Sequence, residues 1–438
     1  MNARRLFIAV GFLALIAVGA LLLAMPFSRV AGTFGSASDA LFMACSAVCV
    51  TGLSVVDVGA EYTRAGQVVL LALVEVGCLG LMTCGTFLLV AIGRRLSLDR
   101  EFSLMNAYGV AKIRGVRSLI LWVVGTMLVV ESLGALALYA RLHDVYESIY
   151  YSVMSFCNAG FSLRADSLAA FQDDPLALLV MGLETILGGI GFLVIYNLCT
   201  FRFLRRPSGA RGRLSLHSRV VLCVTAVLLL VGALLFLACE WSGALAAFPL
   251  SKKLAVSLYQ SVTPRTCGFS LVPMESLQPV TRLVVESLMF VGGAPGSAAA
   301  GIKVTTFAVL VCTLTALWRG EEETVVFRRA LPYDVVRESL VIVTATALFI
   351  AFALAALLIT ERGRSIATDA LFFEAVSAIT TTGLSVGETT RELSHAGRLV
   401  VMCAMFVGRL GALSVVMMIG ARESRRPFRY PTGELVVG

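Results

Sequence analysis

Charge is what this sequence has least of. Only 15% of its 438 residues are Asp, Glu, Lys or Arg, against roughly a quarter in a soluble domain. Most of the chain is therefore read as sitting in lipid. Histidine is nearly missing: His143, His217 and His395 are the three, scattered at loop edges, which leaves no histidine-built metal or acid–base centre. Eleven cysteines form no C-x-x-C pair, and Cys78, Cys84, Cys223, Cys239, Cys312 and Cys403 lie inside apolar runs. There a thiol behaves as a small hydrophobe, so neither a disulfide framework nor a zinc site is expected. The chain also lacks H-E-x-x-H, a Walker sequence and a G-x-G-x-x-G after a strand. A multispanning membrane enzyme thus becomes a remote alternative, and no organic cofactor or nucleotide site is expected in this chain.

What is there in abundance is apolar sequence, 58% of the residues with a mean hydropathy of +0.88. Runs long enough to cross a bilayer lie near 6–27, 68–92, 117–140, 176–200, 219–239, 280–316, 338–360 and 398–420. The first follows Arg4 and Arg5 as a signal peptide would, but it is longer than a signal core and is read as a retained span. The net charge of +8 is gathered in short loops: Arg94 to Arg117, Arg205 to Arg219, Arg328 to Arg337, and the tail from Arg422 to Arg429. That pattern is a topology signal, not a nucleic-acid footprint. Under the positive-inside rule these loops and both termini face the cytoplasm of a multi-pass cell-membrane protein.

Between the spans one punctuation recurs. "SAVCVTGLSVVD" (46–57), "SFCNAGFSL" (155–163), "SVTPRTCGFSL" (261–271) and "SAITTTGLSVGE" (377–388) each end a short apolar stretch in one glycine, then Leu or Phe, then Ser. The glycines Gly52, Gly160, Gly268 and Gly383 are spaced by 108, 108 and 115 residues. The stretches before them, 37–50, 145–157, 252–265 and 367–380, are too short to span. The expected fold is an all-α membrane protein of four pseudo-repeats around one central pore. Each repeat holds a transmembrane helix, a re-entrant pore half-helix, a filter loop and a second transmembrane helix. The repeats are placed at 1–95, 96–204, 205–318 and 319–421, with a cytoplasmic tail at 422–438.

One such glycine alone would be an ordinary turn; four at matching depth are a pattern. Irregular backbone within a bilayer is tolerated only where it is buried in protein or lines a water-filled path. Half-helices that point their C-terminal ends at one axis favour a cation there, and extended-loop carbonyls can replace its hydration shell. Glycine permits the backbone angles that turn carbonyls inward.

These loops, "TGLSVVD", "CNAGFS", "TPRTCGF" and "TTGLSV", resemble the filter loops of the Trk/Ktr/HKT superfamily of potassium transporters. The similarity covers nearly the whole chain and is greatest to the Ktr-type (KtrB-like) membrane subunit. It implies potassium uptake through one pore per chain, with K+ held by Val50, Thr51, Gly52, Asn158, Ala159, Gly160, Thr266, Cys267, Gly268, Thr381, Thr382 and Gly383. It implies a homodimer on a cytoplasmic nucleotide-binding (KtrA-like) regulatory ring. Sequence logic alone leaves Na+ open, as a stimulating ion or as the permeant ion of a poorly selective channel, because single-glycine loops replace the usual double glycine.

The second helices carry small-residue motifs: "GCLG" (77–80), "GGIG" (188–191), "GGAPG" (292–296) and "GRLG" (408–411). Close helix packing accounts for the first two. The third lies in an apolar run too long for one span and centred on Pro295, so a broken helix is expected there. Gly292, Gly293, Pro295, Gly296, Ser297 and Gly301 resemble the family's intramembrane gating loop. Arg409 is an intramembrane charge, costly and therefore functional by default. The resemblance gives it the role of holding that loop closed, although a structural brace between helix ends stays open. Arg265 is read through the same resemblance as bracing the third filter loop. Glu75, Glu131, Glu184 and Glu286 in apolar runs either attract or couple cations or pair with buried donors between helices, while Asp57 is placed to enrich cations at the outer mouth.

Overall fold

The structure, a computed structural model, describes residues 2–93, 116–203 and 214–411. The basic clusters at 94–114, at 205–213 and after 422 lie outside these residues, as does the tail. Within them the chain is helical apart from loops and one short hairpin, Val325–Val326 paired with Arg329–Ala330.

One order of elements recurs along the chain. A long helix comes first: Asn2–Ala24, Val116–Leu142, Leu216–Glu240 and Tyr333–Thr360. A short helix follows each: Ala37–Val48, Val145–Cys157, Leu250–Val262 and Thr368–Thr380. An irregular loop then leads to a second long element, beginning at Arg64, Pro175, Pro279 and His395. Local signals set these starts. Ser36, Asp144, Asp174 and Ser394 cap their helices with side-chain oxygens, and Pro175 and Pro279 occupy first-turn positions where a missing N–H costs nothing.

The burial pattern is that of a bundle turned inside out. Leu121–Leu142, Leu216–Glu240 and Tyr333–Thr360 are long and apolar enough to cross a membrane, and Leu128, Leu230 and Phe352 on them are exposed. The short helices are the core instead: Phe42, Met43, Tyr150, Tyr151 and Phe373 are fully buried. Short helices too brief to span are thus wrapped by longer ones whose outer faces suit lipid.

Among the described residues, the second and third of these second elements are broken. The third stops at Val291 and resumes at Val304, as the proline-centred run predicts. The second also breaks, at Gly191 (φ +83), where Pro175–Ile190 and Phe192–Cys199 meet at 99°. The packing account of "GGIG" therefore needs correction. Gly188 does pack closely, facing the Phe156 carbonyl, but Gly191 also turns the chain.

Candidate ion pathway

The four motif glycines meet in one ring. A Cβ built on Gly52 would collide with Gly160, one on Gly160 with Gly268, one on Gly268 with Gly383 and Thr382, and one on Gly383 with Gly52 and Thr51. Each glycine thus backs onto the next in chain order, and the last closes onto the first. Chain-distant loops form this circle because the short helices point their C-terminal ends inward.

Loop geometry repeats with it. Two residues before each glycine stands a residue of positive φ: Val50 (53°), Asn158 (58°), Thr266 (71°) and Thr381 (49°). Gly52, Gly268 and Gly383 are themselves at +96°, +84° and +88°. Gly160 departs from the pattern, without a positive φ. A β-branched residue at φ > 0 is an outlier, and such strain concentrates at functional sites. Positive angles alternating along the loop turn peptide units from the course of an ordinary strand.

The loops are held from behind. In the first and fourth, the glycine N–H donates to a hydroxyl six residues earlier, Gly52 to Ser46 and Gly383 to Ser377, both at 3.1 Å. In the third, Thr263 Oγ1 donates to the Phe269 carbonyl at 2.5 Å and buried Arg265 reaches Thr225 Oγ1 at 3.2 Å. Arg265 thus ties the loop to helix Leu216–Glu240 from outside the ring. Cys267 Sγ lies 3.3 Å from Thr185 Oγ1, with its side chain turned into the protein. The buried hydroxyls of Thr51, Thr266 and Thr381 have no hydrogen-bond partner. Unpartnered hydroxyl oxygens beside a ring of loop backbone suit a desolvated hard cation.

On one side of the ring opens a cavity of about 420 Å³ whose floor includes all four glycines. One carboxylate from each loop lines it: Asp57, Asp166, Glu275 and Glu388. Asp57 also caps the short helix Val58–Glu61, accepting from Gly59 and Ala60 at 3.0 and 3.1 Å. Arg164 and Arg391 share the cavity, each ion-paired to a glutamate, Glu147 and Glu388.

On the other side lies the segment 292–303. Its backbone is hooked onto the broken second element: Ala294 N–H donates to Gly189 O (2.8 Å), Ala298 N–H to Gly188 O (3.1 Å), and Phe192 N–H to Gly296 O (3.3 Å). Ser297 closes a turn by donating to Ala294 O at 2.6 Å. Gly292, Gly296 and Gly301 hold positive φ at 61°, 73° and 73°, and a Cβ on Gly293 would meet Ala299 and Gly189. Pro295 places its carbonyl against Gly191. Arg409, 2% exposed, donates to Ala298 O at 2.7 Å and to Gly77 O at 3.0 Å. Since Gly77 packs on the Val48 carbonyl and Gly188 on that of Phe156, this segment lies at the inner ends of the short helices, opposite the cavity.

A ring of loop backbones in a helical membrane bundle narrows the field to ion transport, and the comparisons with known proteins decide which kind. Residues 8–428 match the family model described as TrkH, cation transport protein. This chain belongs to that family. The transporter is 36% identical to the Ktr system potassium uptake protein B of Bacillus subtilis, over 98% of this chain and 96% of the relative. It is 32% identical to the potassium/sodium uptake protein NtpJ of Enterococcus hirae, with 98% and 96% covered. In fold it is similar to the potassium transporter TrkH from Vibrio parahaemolyticus, with a TM-score of 0.76 at 19% identity over 96% of this chain and 85% of that one. The protein is a cation transporter, not an enzyme.

The intramembrane glutamates of the transporter stand apart from the ring. Glu131 and Glu184 are buried between helix Val116–Leu142, the second short helix and Pro175–Ile190, where Ser152 bonds the Glu131 carbonyl (2.7 Å) and the Glu184 carboxyl. The Glu184 carboxyl thus meets a donor on a neighbouring helix, as one of the two sequence readings had it, and the Glu131 carboxyl faces the Cys157 thiol at 3.9 Å. Glu75 and Glu286 are half-buried. Sequence reasoning overlooked three buried carboxylates. Glu240 accepts from Ala244 N–H, Gln278 N–H and Thr281 Oγ1, and Glu361 accepts from Ser394 N–H and Oγ. Glu374 accepts from Thr390 Oγ1 and Ser385 Oγ at 2.6 and 2.9 Å. Glu240 and Glu361 stand at the ends of their long helices, which was an available signal; Glu374 lies mid-helix and had none. Asp166 and Glu275 were overlooked for another reason: their offsets from their glycines exceed that of Asp57 by one and two residues, whereas Glu388 repeats the Asp57 offset and was legible.

Proposed function

We propose that this transporter takes up potassium through one pore per chain and that the glycine ring is its selectivity filter. The observation that carries this is the closed circle of four glycines with a positive-φ residue two positions before each. Carbonyls from Val50, Thr51, Gly52, Asn158, Ala159, Gly160, Thr266, Cys267, Gly268, Thr381, Thr382 and Gly383 would replace the ion's hydration shell. The convergent C-terminal ends of the short helices add negative potential. The acidic cavity is the outer mouth, raising the local cation concentration before the ring.

The segment Gly292 to Gly301 is the gate, latched by Arg409. It spans the inner side of the ring in a dozen residues of non-helical backbone, and a buried guanidinium there opposes a passing cation. We further infer a homodimer in the cell membrane with both termini cytoplasmic, regulated by a cytoplasmic nucleotide-binding partner. This assignment draws on the relatives' description as parts of a Ktr system. Sodium stimulation or permeation is the second reading, favoured by the single-glycine loops and by the potassium/sodium description of one relative.

Labelled rubidium uptake into liposomes bearing the purified chain tests the reading, with potassium and sodium as competitors. Potassium should compete strongly and sodium weakly. Equal competition would move the assignment to a poorly selective cation path, and no uptake with or without partner would end it.

A further inference from the structure

Two cations reach the same short stretch of gate backbone, Arg409 from helix His395–Leu410 and Lys303 from the end of the segment itself. Arg409 Nη1 donates to Ala298 O at 2.7 Å, and Lys303 Nζ donates to the next carbonyl, Ala299 O, at 2.6 Å. Both alanines are buried, at 1% exposure each, whereas Lys303 is half-buried. Neither carbonyl belongs to a helix or sheet that would consume its lone pairs; Ser297 Oγ offers Ala299 O only a longer contact at 3.4 Å. Consecutive carbonyls outside helix and sheet bonding that face positive charge are the chemistry by which a filter holds a desolvated cation.

The two side chains are held differently. Arg409 forks between Ala298 O and Gly77 O, joining the segment to the first inner helix. Lys303 has a compact ammonium on a flexible stem, and among the described residues it donates to Ala299 O. A planar fork across two elements is a latch. A single ammonium on a carbonyl is the place a free monovalent cation would take.

We propose that the Ala299 carbonyl, beside the Ala298 carbonyl that Arg409 holds, belongs to a second monovalent-cation site on the inner side of the glycine ring, and that the Lys303 ammonium fills it as a tethered blocking ion. This rests on segment 292–301 being a gate. Transported potassium then competes with Lys303 for the Ala299 oxygen, so occupancy by the ion helps expel the block. Wild-type flux should rise with potassium more steeply than a simple saturation curve.

The test is labelled rubidium uptake by the full-length protein in liposomes without partner, over a potassium series. Flux is normalised to protein that is monodisperse on gel filtration. Lys303→Gln and Lys303→Met remove the blocking charge. Losing a charge-assisted hydrogen bond shifts such an equilibrium by about tenfold or more, so flux at low potassium should rise by about that factor and the curve become hyperbolic. Lys303→Arg, which keeps the charge, should stay blocked. Unchanged flux and curve shape in both neutral variants, or identical behaviour of Arg and Gln, overturns the proposal. A deletion within 294–300 separates the two levels. If it raises flux while Lys303→Gln does not, only the blocking ion is wrong. If the deletion also leaves flux flat, the gate reading falls with it.

Discussion

At the scale of single residues, the four glycines are not interchangeable. Gly52, Gly268 and Gly383 combine a positive φ with a neighbour's backbone in the place of a Cβ, whereas Gly160 has only the crowding. A side chain forced into the left-handed region costs roughly 1–2 kcal/mol, added to the displacement of the adjoining loop. Alanine at Gly383 should therefore reduce potassium-over-sodium competition more than alanine at Gly160, as read by rubidium uptake. Equal losses would show that crowding alone shapes the ring. Outside the apolar spans, Asp174 offers a titration test. Partial burial alone would raise its carboxyl, but the Ala177 N–H and Arg141 outweigh it and hold the group below the usual range. A depressed carboxylate stabilises the fold above its unfolded value and loses that contribution as pH falls through the folded one. Asp174→Asn should lower the melting temperature slightly at neutral pH, and the difference should vanish under acid conditions in a thermal melt series.

At the scale of elements, breaks in the second and third inner helices form one interlock. Carbonyls freed by the Gly188–Gly191 turn receive the N–H groups of Ala294 and Ala298, so each irregular segment satisfies the other's backbone. Gly191→Ala meets both a positive φ and the Pro295 carbonyl at 2.9 Å. It should loosen the gate and raise partner-free flux per molecule, with the ring's ion preference kept. A drop in flux with preserved folding would make the interlock a support of the open path instead. Arg409→Ala should raise flux similarly, and a gate deletion added to it should bring no further gain, because both remove the same obstruction. Additive gains would separate arginine from gate.

At the scale of the whole molecule, carboxylates tie lipid-facing helices to inner ones. Glu240 and Glu361 end their long helices and accept from N–H groups where the next inner element begins, at Gln278 and Ser394. Hydrogen bonds to a charged group contribute roughly 1.5–3 kcal/mol, so Glu361→Ala should cost about that much in detergent unfolding. An unaffected melt would place the restraint elsewhere. The cavity above the ring draws one carboxylate from each loop, and fields of this kind are screened within about 8 Å at physiological salt. Replacing Asp166 and Glu275 by amides should slow uptake at low ionic strength and matter little at high. A deficit independent of salt would mean that these side chains shape the mouth rather than attract the ion.

Much of this was legible along the chain because lipid imposes a coarse rule. The short helices begin and end within three residues of their expected bounds, and the break around Pro295 falls where apolar length exceeds one span. The glycines announced themselves by spacing. Other features belonged to packing. Gly191 breaks its helix although "GGIG" differs little from "GCLG", whose helix runs on from Arg64 to Gly93. The difference lies in the partner, since only the former receives N–H groups from the segment 292–301. Glu184 reads as an intramembrane charge but faces Ser152 between helices and not the ring. Nothing along the chain singles out Lys303, whose ammonium in the fold donates to Ala299 O. Hydrophobic length and glycine punctuation are local, and the sequence by itself determined the spans, the re-entrant helices and their repeat. That the Arg409 guanidinium meets the Ala298 carbonyl depends on elements more than a hundred residues apart, and only the tertiary structure decided it.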